Sequence, residues 1–432
     1  MARTRLGIVN LFRRIGRFER VACCLALLLL LGTAGAAAKT PIRLVTYGAE
    51  TAIERWARIA AAFEKDRPDY SLEFEIVPLS DYPTKVSVMV AAGSPPDVFQ
   101  TIAQYKVRWG EQGLLMDLRP YWERSQVASS VEVLPFMMEA VMYDGAIVGV
   151  PWDFSSMAIT LNVDAINEAG LAVPDNNWTV EDYRMYALRL TRPDEGIYGS
   201  NLGASSGISN WIWAVNFTGE GWLDRSRTEV LVESPANIEM LEYWLDLIDR
   251  RAVPPPGVAP SRNQWTGGYG MWGGWSHWGE RMGTDATYDW AMVSYPAGPG
   301  GDKNFAHGHM MSMASNAPNP DRGWVFLEWL LTPEGQRAVV QLDARQPIVG
   351  DPELWTLFFS TVPTEKQQMM YDLVFEHMYG MNRLHIMEYW TSWPDVERVM
   401  NQQLGAIFRG QVPPTTGMTT AAAQIRALLA AE

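Results

Sequence analysis

Cysteine is almost missing from this chain: Cys23 and Cys24 are the only two in 432 residues, which excludes a disulfide scaffold. Basic charge is also scarce. Lys and Arg number 35 against 49 Asp and Glu, a net charge of -14. Nucleic acids and anionic membranes need clustered Lys and Arg, so neither is expected as a partner. Charged residues make up 19% and apolar ones 47%, too hydrophobic a balance for a disordered chain. Beyond the N-terminus no run approaches the roughly 20 apolar residues of a spanning helix. There is no internal repeat and no low-complexity tract. What remains is a globular chain long enough for two or three domains of about 100–200 residues each.

The N-terminus has its own character. Residues 1–20 carry six arginines and one acid, Glu19; residues 21–31 are apolar; small residues then lead to Ala36-Ala37-Ala38. A basic start, a short apolar stretch and an A-x-A site make a secretory signal peptide, with cleavage expected after Ala38. An uncleaved anchor is the alternative, and Arg13-Arg14 leaves the twin-arginine route open beside the general one. Cleavage removes both cysteines and leaves 29 basic and 48 acidic residues, a net charge of -19. A cysteine-free, acidic, exported chain fits the bacterial periplasm.

The mature chain opens by alternating strand and helix. Residues 42–47 read as a strand. Ile53, Trp56, Ala57, Ala60 and Phe63 recur at helical spacing, so 51–65 is an amphipathic helix, stopped by Pro68. Leu72, Phe74 and Ile76 alternate with polar residues, as in a half-buried strand. A helix over 81–92 ends at Gly93-Ser94-Pro95-Pro96, and a strand starts at Asp97. A strand over 156–161 and helices over 236–250 and 322–331 continue the pattern, with Thr179 as N-cap of another helix. The fold class is α/β with a mostly parallel sheet.

Motifs of enzymes occur without their context. Gly203-Ala204-Ser205-Ser206-Gly207 fits G-x-S-x-G, but a nucleophile elbow needs a strand before it and a helix after it, and the segment reads as a flexible turn. Gly268-Tyr269-Gly270-Met271-Trp272-Gly273 fits G-x-G-x-x-G mid-chain, among tryptophans, where no dinucleotide unit is expected. His307-Gly308-His309 offers two metal ligands and no visible third. One of these histidines is better placed as a hydrogen-bonding group in a cleft. No metal and no cofactor is implied.

Tryptophan, by contrast, is abundant: 19 residues. Trp272, Trp275 and Trp278 recur every third residue beside Trp265. In a helix they would cover one broad face, though Gly273 and Gly274 suit a helix start that lets a ligand come close. Trp211 and Trp213 add further aromatic surface. Pyranose rings stack apolar C–H faces on aromatic rings, and their hydroxyls need charged or amide partners.

A series of short blocks then resembles the family 1 extracellular solute-binding proteins of ABC sugar importers. Phe63-Glu64-Lys65 with Pro68 is similar to "F-E-K-x-x-P", and Asp81-Tyr82, Lys85 and 91–98 are similar to "D-Y…K…A-A-G-x-x-P-D-V". Further blocks are Gly113-Leu114-Leu115 with Asp117-Leu118, Tyr143-Asp144-Gly145 with Gly149-Val150-Pro151, Asn162-Val163-Asp164 with Ala169-Gly170-Leu171, and Gly270-Met271 with Trp275. Each is short, but the ordered set spans nearly the whole mature chain.

The resemblance implies the two-lobed type II periplasmic binding fold. Each lobe is then a mixed, mostly parallel sheet flanked by helices, joined by crossing strands at a hinge. One lobe covers 39–152 and 304–345, the other 153–303 and 346–432. It implies a monomer that binds a carbohydrate, a di- or oligosaccharide, and delivers it to the transmembrane subunits of an ABC permease. Carried over residue by residue, the ligand contacts are Tyr47, Glu50, Gln100, Asp153, Ser155, Trp275, Gly308, His309 and Arg345. Trp211, Trp213 and Trp272 join them as aromatic platforms. Ile102 stands where some relatives carry an Asp, which removes one usual sugar contact. Three alternatives stay open: a phosphorylated polyol as ligand, an exported glycoside hydrolase, and a sensor that feeds a signalling partner.

Overall fold

The structure is a computed structural model that describes residues 38–431 apart from 51, 206, 225–228, 344 and 387–392. The expected signal peptide lies outside the described residues up to Ala38. Among the described residues no helix is long and apolar enough to cross a membrane.

Among the described residues nine strands share one mixed sheet: β1 Thr40–Tyr47, β2 Tyr70–Val77, β3 Val98–Thr101, β4 Val150–Asn162, β5 Tyr198–Ser200, β6 Tyr269–Trp275, β7 Trp290–Val293, β8 Asn304–Ser312 and β9 Leu384–Ile386. Their order is β2-β1-β3-β8-β4-β6-β5, with β9 beside β8 and β7 beside β4. β1 pairs in parallel with β2, Thr40 opposite Tyr70, and with β3, Leu44 opposite Val98. Between β1 and β2 runs α1, Ala52–Asp66, which buries Trp56, Ile59, Ala60 and Phe63 against the sheet. Trp56, Ala60 and Phe63 belong to the stripe the periodicity predicts, but Ile53 and Ala57 are exposed and Ala52 and Ile59 are buried in their place. α2, Tyr82–Ala91, connects β2 to β3. Further on, α3, Val180–Leu190, opens with a complete capping box between Thr179 and Asp182, so two of its orphan backbone donors are satisfied locally.

β4 organises the molecule. All thirteen of its residues are buried, so it has packing on both faces. Its first half pairs antiparallel with β8, from Val150 opposite Met311 to Ser156 opposite Ala306. Its second half pairs antiparallel with β6, Met157 opposite Trp275, and with β7, Asn162 opposite Trp290. One strand thus runs from one half of the sheet into the other.

Two apolar clusters flank this passage. The first gathers Ile42, Phe63, Phe99, Trp109, Trp152 and Trp329, together with Leu354, Trp355 and Phe358 of the later chain. The second gathers Leu161, Tyr183, Trp213, Trp222, Trp244, Trp393 and Ile425. The tryptophan excess goes largely into these cores. Trp56, Trp109, Trp213, Trp222, Trp244, Trp329 and Trp393 are under 2% exposed, and Trp222 stacks on Trp393 with centroids 5.2 Å apart.

The segment around Trp272 departs from the helical expectation. It is strand β6, followed by a single 3₁₀ turn at Ser276–Trp278. Pairing with β4 and the β-preference of tryptophan outweigh the three-residue spacing. Gly274 serves ring packing here rather than ligand approach. A Cβ at this position would lie 2.9 Å from Trp272 and 3.1 Å from Trp278, a spacing that only glycine leaves open.

Candidate functional site

Side chains alternate across a strand, and residues opposite each other in a pair share a face. β4 therefore sends Asp153, Ser155 and Met157 to one face, and β8 adds His309 opposite Asp153 and His307 opposite Ser155. The other face takes Phe154, which packs on Phe136 at 5.1 Å and Trp355 at 6.1 Å.

Over the polar face opens a cavity of about 590 Å³, lined by Tyr47, Ile102, Gln104, Tyr105, Trp275, His277, Trp278, His307, His309, Arg345 and Glu397 among others. Tyr47 ends β1, and residues 102–105 follow β3. Both lie at carboxyl ends of parallel strands, where α/β sheets hold ligands.

An ionic cluster forms the floor. Asp153 is fully buried. Its Oδ1 lies 2.5 Å from His309 Nδ1, and its Oδ2 lies 3.3 Å from Arg345 Nε. Burial by itself pushes the Asp153 carboxyl up, but His309, Arg345 and His307 beside it together hold it below the usual carboxylate range. Arg345 Nη1 donates to Ser155 Oγ at 3.0 Å, and Ser155 Oγ lies 2.9 Å from His277 Nδ1. Burial first, then the charge of Arg345, drives the His277 imidazole well below its ordinary value. His307 moves the same way through burial and the neighbouring His309. Burial, with the charge of Asp153, raises the Tyr47 phenol.

An aromatic wall adjoins the floor. Trp275 is half-buried, and its ring stacks on His307 with centroids 4.7 Å apart and planes 19° apart. His307 in turn meets His309 edge-on at 4.5 Å.

Of the residues singled out from sequence, Tyr47, Trp275, His309 and Arg345 line this cavity. Asp153 and Ser155 lie beneath it as partners of Arg345 and His309. The others lie elsewhere. Gly308 faces the opposite side of β8, where a Cβ would come within 2.5 Å of Met137. Gln100 is buried on β3 and accepts from Thr46 Oγ1 at 2.6 Å. Glu50 is exposed in the turn after β1.

The three added aromatic platforms are core residues. Trp213 is fully buried, 4.9 Å from Trp244 and 5.1 Å from Tyr183. Trp211 is 5% exposed and packs on Phe305 and His385. Trp272 is 3% exposed; its Nε1–H donates to the Tyr288 hydroxyl at 3.1 Å.

The sequence left His307 as one of two candidate cleft histidines and did not single out His277, Tyr105 or Glu397. For His307 a signal existed: in a strand, H-x-H places both rings on one face. For the other three no local pattern exists. Among the described residues no group of three or more His, Cys, Asp or Glu side chains could hold a metal ion.

The model of the family described as bacterial extracellular solute-binding protein matches residues 48–337. A binding protein of Brucella abortus (strain 2308) is 22% identical over 330 residues, which cover 74% of this chain and 79% of that one. The mannitol-binding protein of Pseudomonas aeruginosa is 26% identical over 239 residues, 52% of this chain and 53% of its own. Among solved structures, the ABC substrate-binding protein of Listeria monocytogenes in complex with cycloalternan superposes with a TM-score of 0.80 at 18% identity, covering 91% of this chain and 99% of that one. The fold is the two-lobed type II fold that the sequence blocks imply. With well over half its length under the family model, this chain belongs to the bacterial extracellular solute-binding proteins, a family that binds its substrate rather than transforming it.

Proposed function

We propose that this protein is the exported substrate-binding component of an ABC importer and that it captures a neutral carbohydrate, a di- or oligosaccharide. The observation that carries this reading is the placement of a half-buried indole, Trp275, beside a charge-compensated polar floor, Asp153–His309–Arg345, in one cavity. A sugar offers an apolar C–H face and a rim of hydroxyls. The first matches an aromatic ring, the second a set of fixed, charge-assisted hydrogen-bonding groups. The cavity volume of about 590 Å³ falls within the usual range for small-molecule sites, about 300–1,000 Å³. Mannitol and cycloalternan, named for one relative and one solved structure, are both neutral and rich in hydroxyls.

A phosphorylated polyol fits less well. Arg345 is already engaged by Asp153 and Ser155, so a phosphate would have to compete with a buried carboxylate for the guanidinium. A glycosidase finds no support either: it needs two carboxylates at the bond it cleaves, and Asp153 is fully buried and held by His309 and Arg345.

In this reading the lobes are 39–152 with 304–345, and 153–303 with 346–432, except that Leu354, Trp355 and Phe358 pack into the first cluster. β4 and β8 form the hinge, closure traps the ligand, and the closed monomer docks on a membrane permease. Export leaves the protein in the periplasm after cleavage near Ala38. A thermal-shift screen of residues 39–432 against mono-, di- and oligosaccharides and polyols tests this. A ligand at 100 times its dissociation constant adds about 2.7 kcal/mol. If no carbohydrate shifts the melting temperature, the reading fails.

A further inference from the structure

Three of the five histidines in the chain, His277, His307 and His309, meet in the cleft floor. The partners of two of them settle which ring nitrogen carries the proton. A guanidinium only donates, so Ser155 Oγ accepts from Arg345 Nη1 at 3.0 Å. The single hydroxyl hydrogen of Ser155 is then directed at its other neighbour, His277 Nδ1, 2.9 Å away. An imidazole that accepts at Nδ1 and is neutral carries its proton on Nε2. Burial and the nearby Arg345 keep His277 neutral.

At His309 the assignment is reversed. Its Nδ1 lies 2.5 Å from a buried Asp153 oxygen. An ionised carboxylate only accepts, so Nδ1 carries a proton, and in the tautomer with that single proton Nε2 is an acceptor. Both rings line the cavity, with their Nδ1 atoms turned to β4. Ser155 and Asp153, which hold them, sit two residues apart on one face of that strand, roughly 7 Å.

We propose that Ser155 and Asp153 lock His277 and His309 into opposite tautomers, so that the cleft floor presents one ring N–H donor and one ring nitrogen acceptor to two hydroxyls of a single sugar or polyol unit beside Trp275. His277 is thereby a specificity-determining residue, and Ser155 is its positioning residue. A hydroxyl can both donate and accept, so it satisfies either nitrogen. A carboxylate or phosphate oxygen only accepts and leaves the His309 nitrogen without a donor, and an ammonium group leaves the His277 N–H without an acceptor. The site thus selects neutral polyhydroxyl compounds over charged analogues of the same size. This inference rests on the carbohydrate reading above.

The test pairs a ligand-independent measurement with binding. Long-range ¹H–¹⁵N correlation spectra of the mature protein at pH 7.5 should show His277 with its proton on Nε2 and His309 with its proton on Nδ1. In Ser155→Ala the His277 pattern should shift toward a mixture of tautomers. Binding is measured with maltose and mannitol as probes. His277→Leu should weaken whichever probe binds by at least tenfold, and His277→Gln, whose amide can donate, should recover part of the loss. A Nδ1-protonated His277, or a His277→Leu variant that binds within twofold of the parent, overturns the inference while leaving the carbohydrate reading intact. A parent protein that binds neither these probes nor any other carbohydrate sinks that reading, and the hydroxyl readout falls with it.

Discussion

His309 Nδ1 stands 2.5 Å from Asp153 Oδ1 although 156 residues separate them in the chain. The antiparallel register of β4 and β8 makes them opposite neighbours, and Arg345 reaches the second oxygen of the same carboxylate. A fully buried acid that accepts from His309 and neutralises Arg345 is bound to both structure and site, because removing it leaves the positive charge of Arg345 uncompensated.

Asp153→Asn is therefore expected to destabilise the unliganded protein by about 3–5 kcal/mol, the usual cost of breaking a buried ion pair from one side. Denaturant titration of parent and variant measures this. A change below about 1 kcal/mol would mean that Arg345 finds solvent as readily as it finds Asp153.

Trp275→Ala should leave the fold in place and weaken sugar binding by about 2 kcal/mol, roughly 30-fold, the value of one aromatic face buried against ligand. Trp275→Phe should retain part of it. Isothermal titration with the best carbohydrate from the screen separates the two variants, and an alanine variant with parental affinity would reduce Trp275 to packing.

Trp213→Ala should do the opposite. Its ring is fully buried among Tyr183, Trp244 and Tyr295, so truncation should cost about 3–5 kcal/mol of stability. The dissociation constant of the protein that remains folded should not change. A selective loss of affinity at normal melting temperature would return Trp213 to the binding site.

Acid should destabilise the protein in a defined window. Burial holds His277 and His307 well below their ordinary value of 6.5, and burial with Arg383 lowers His377 to about 4. The unfolded chain then binds more protons than the folded one below pH 6.5, so stability falls as pH drops from 6.5 toward 4. Asp153, whose carboxyl also lies below its ordinary value, extends the loss under pH 3.8. Melting temperatures at pH 7.5, 6 and 5 should decline in that order, and His277→Gln should flatten the slope. A flat profile in the parent would show that the histidines are solvated.

Much of the strand and helix pattern was legible because its signals are local. The shared face of Trp56, Ala60 and Phe63, the alternation of 72–76 and the Thr179 cap each depend on residues within a few positions. The tryptophan segment misled because spacing by three implies a helical face only if the backbone is helical, and pairing with β4 decided otherwise. Trp211 and Trp213 misled for a related reason: composition counts indoles, while burial depends on which helix packs on which strand.

From the linear chain alone came the export signal as an expectation, the α/β alternation and an ordered set of blocks that points to solute binding, all properties of neighbouring residues. Which histidines share a floor, which carboxylate neutralises Arg345 and which indoles are left half-open to a ligand were decided by the register of two crossing strands. Sheet pairing joins residues from distant parts of the chain, and a one-residue slip would turn Asp153, His307, His309 and Trp275 to the opposite face.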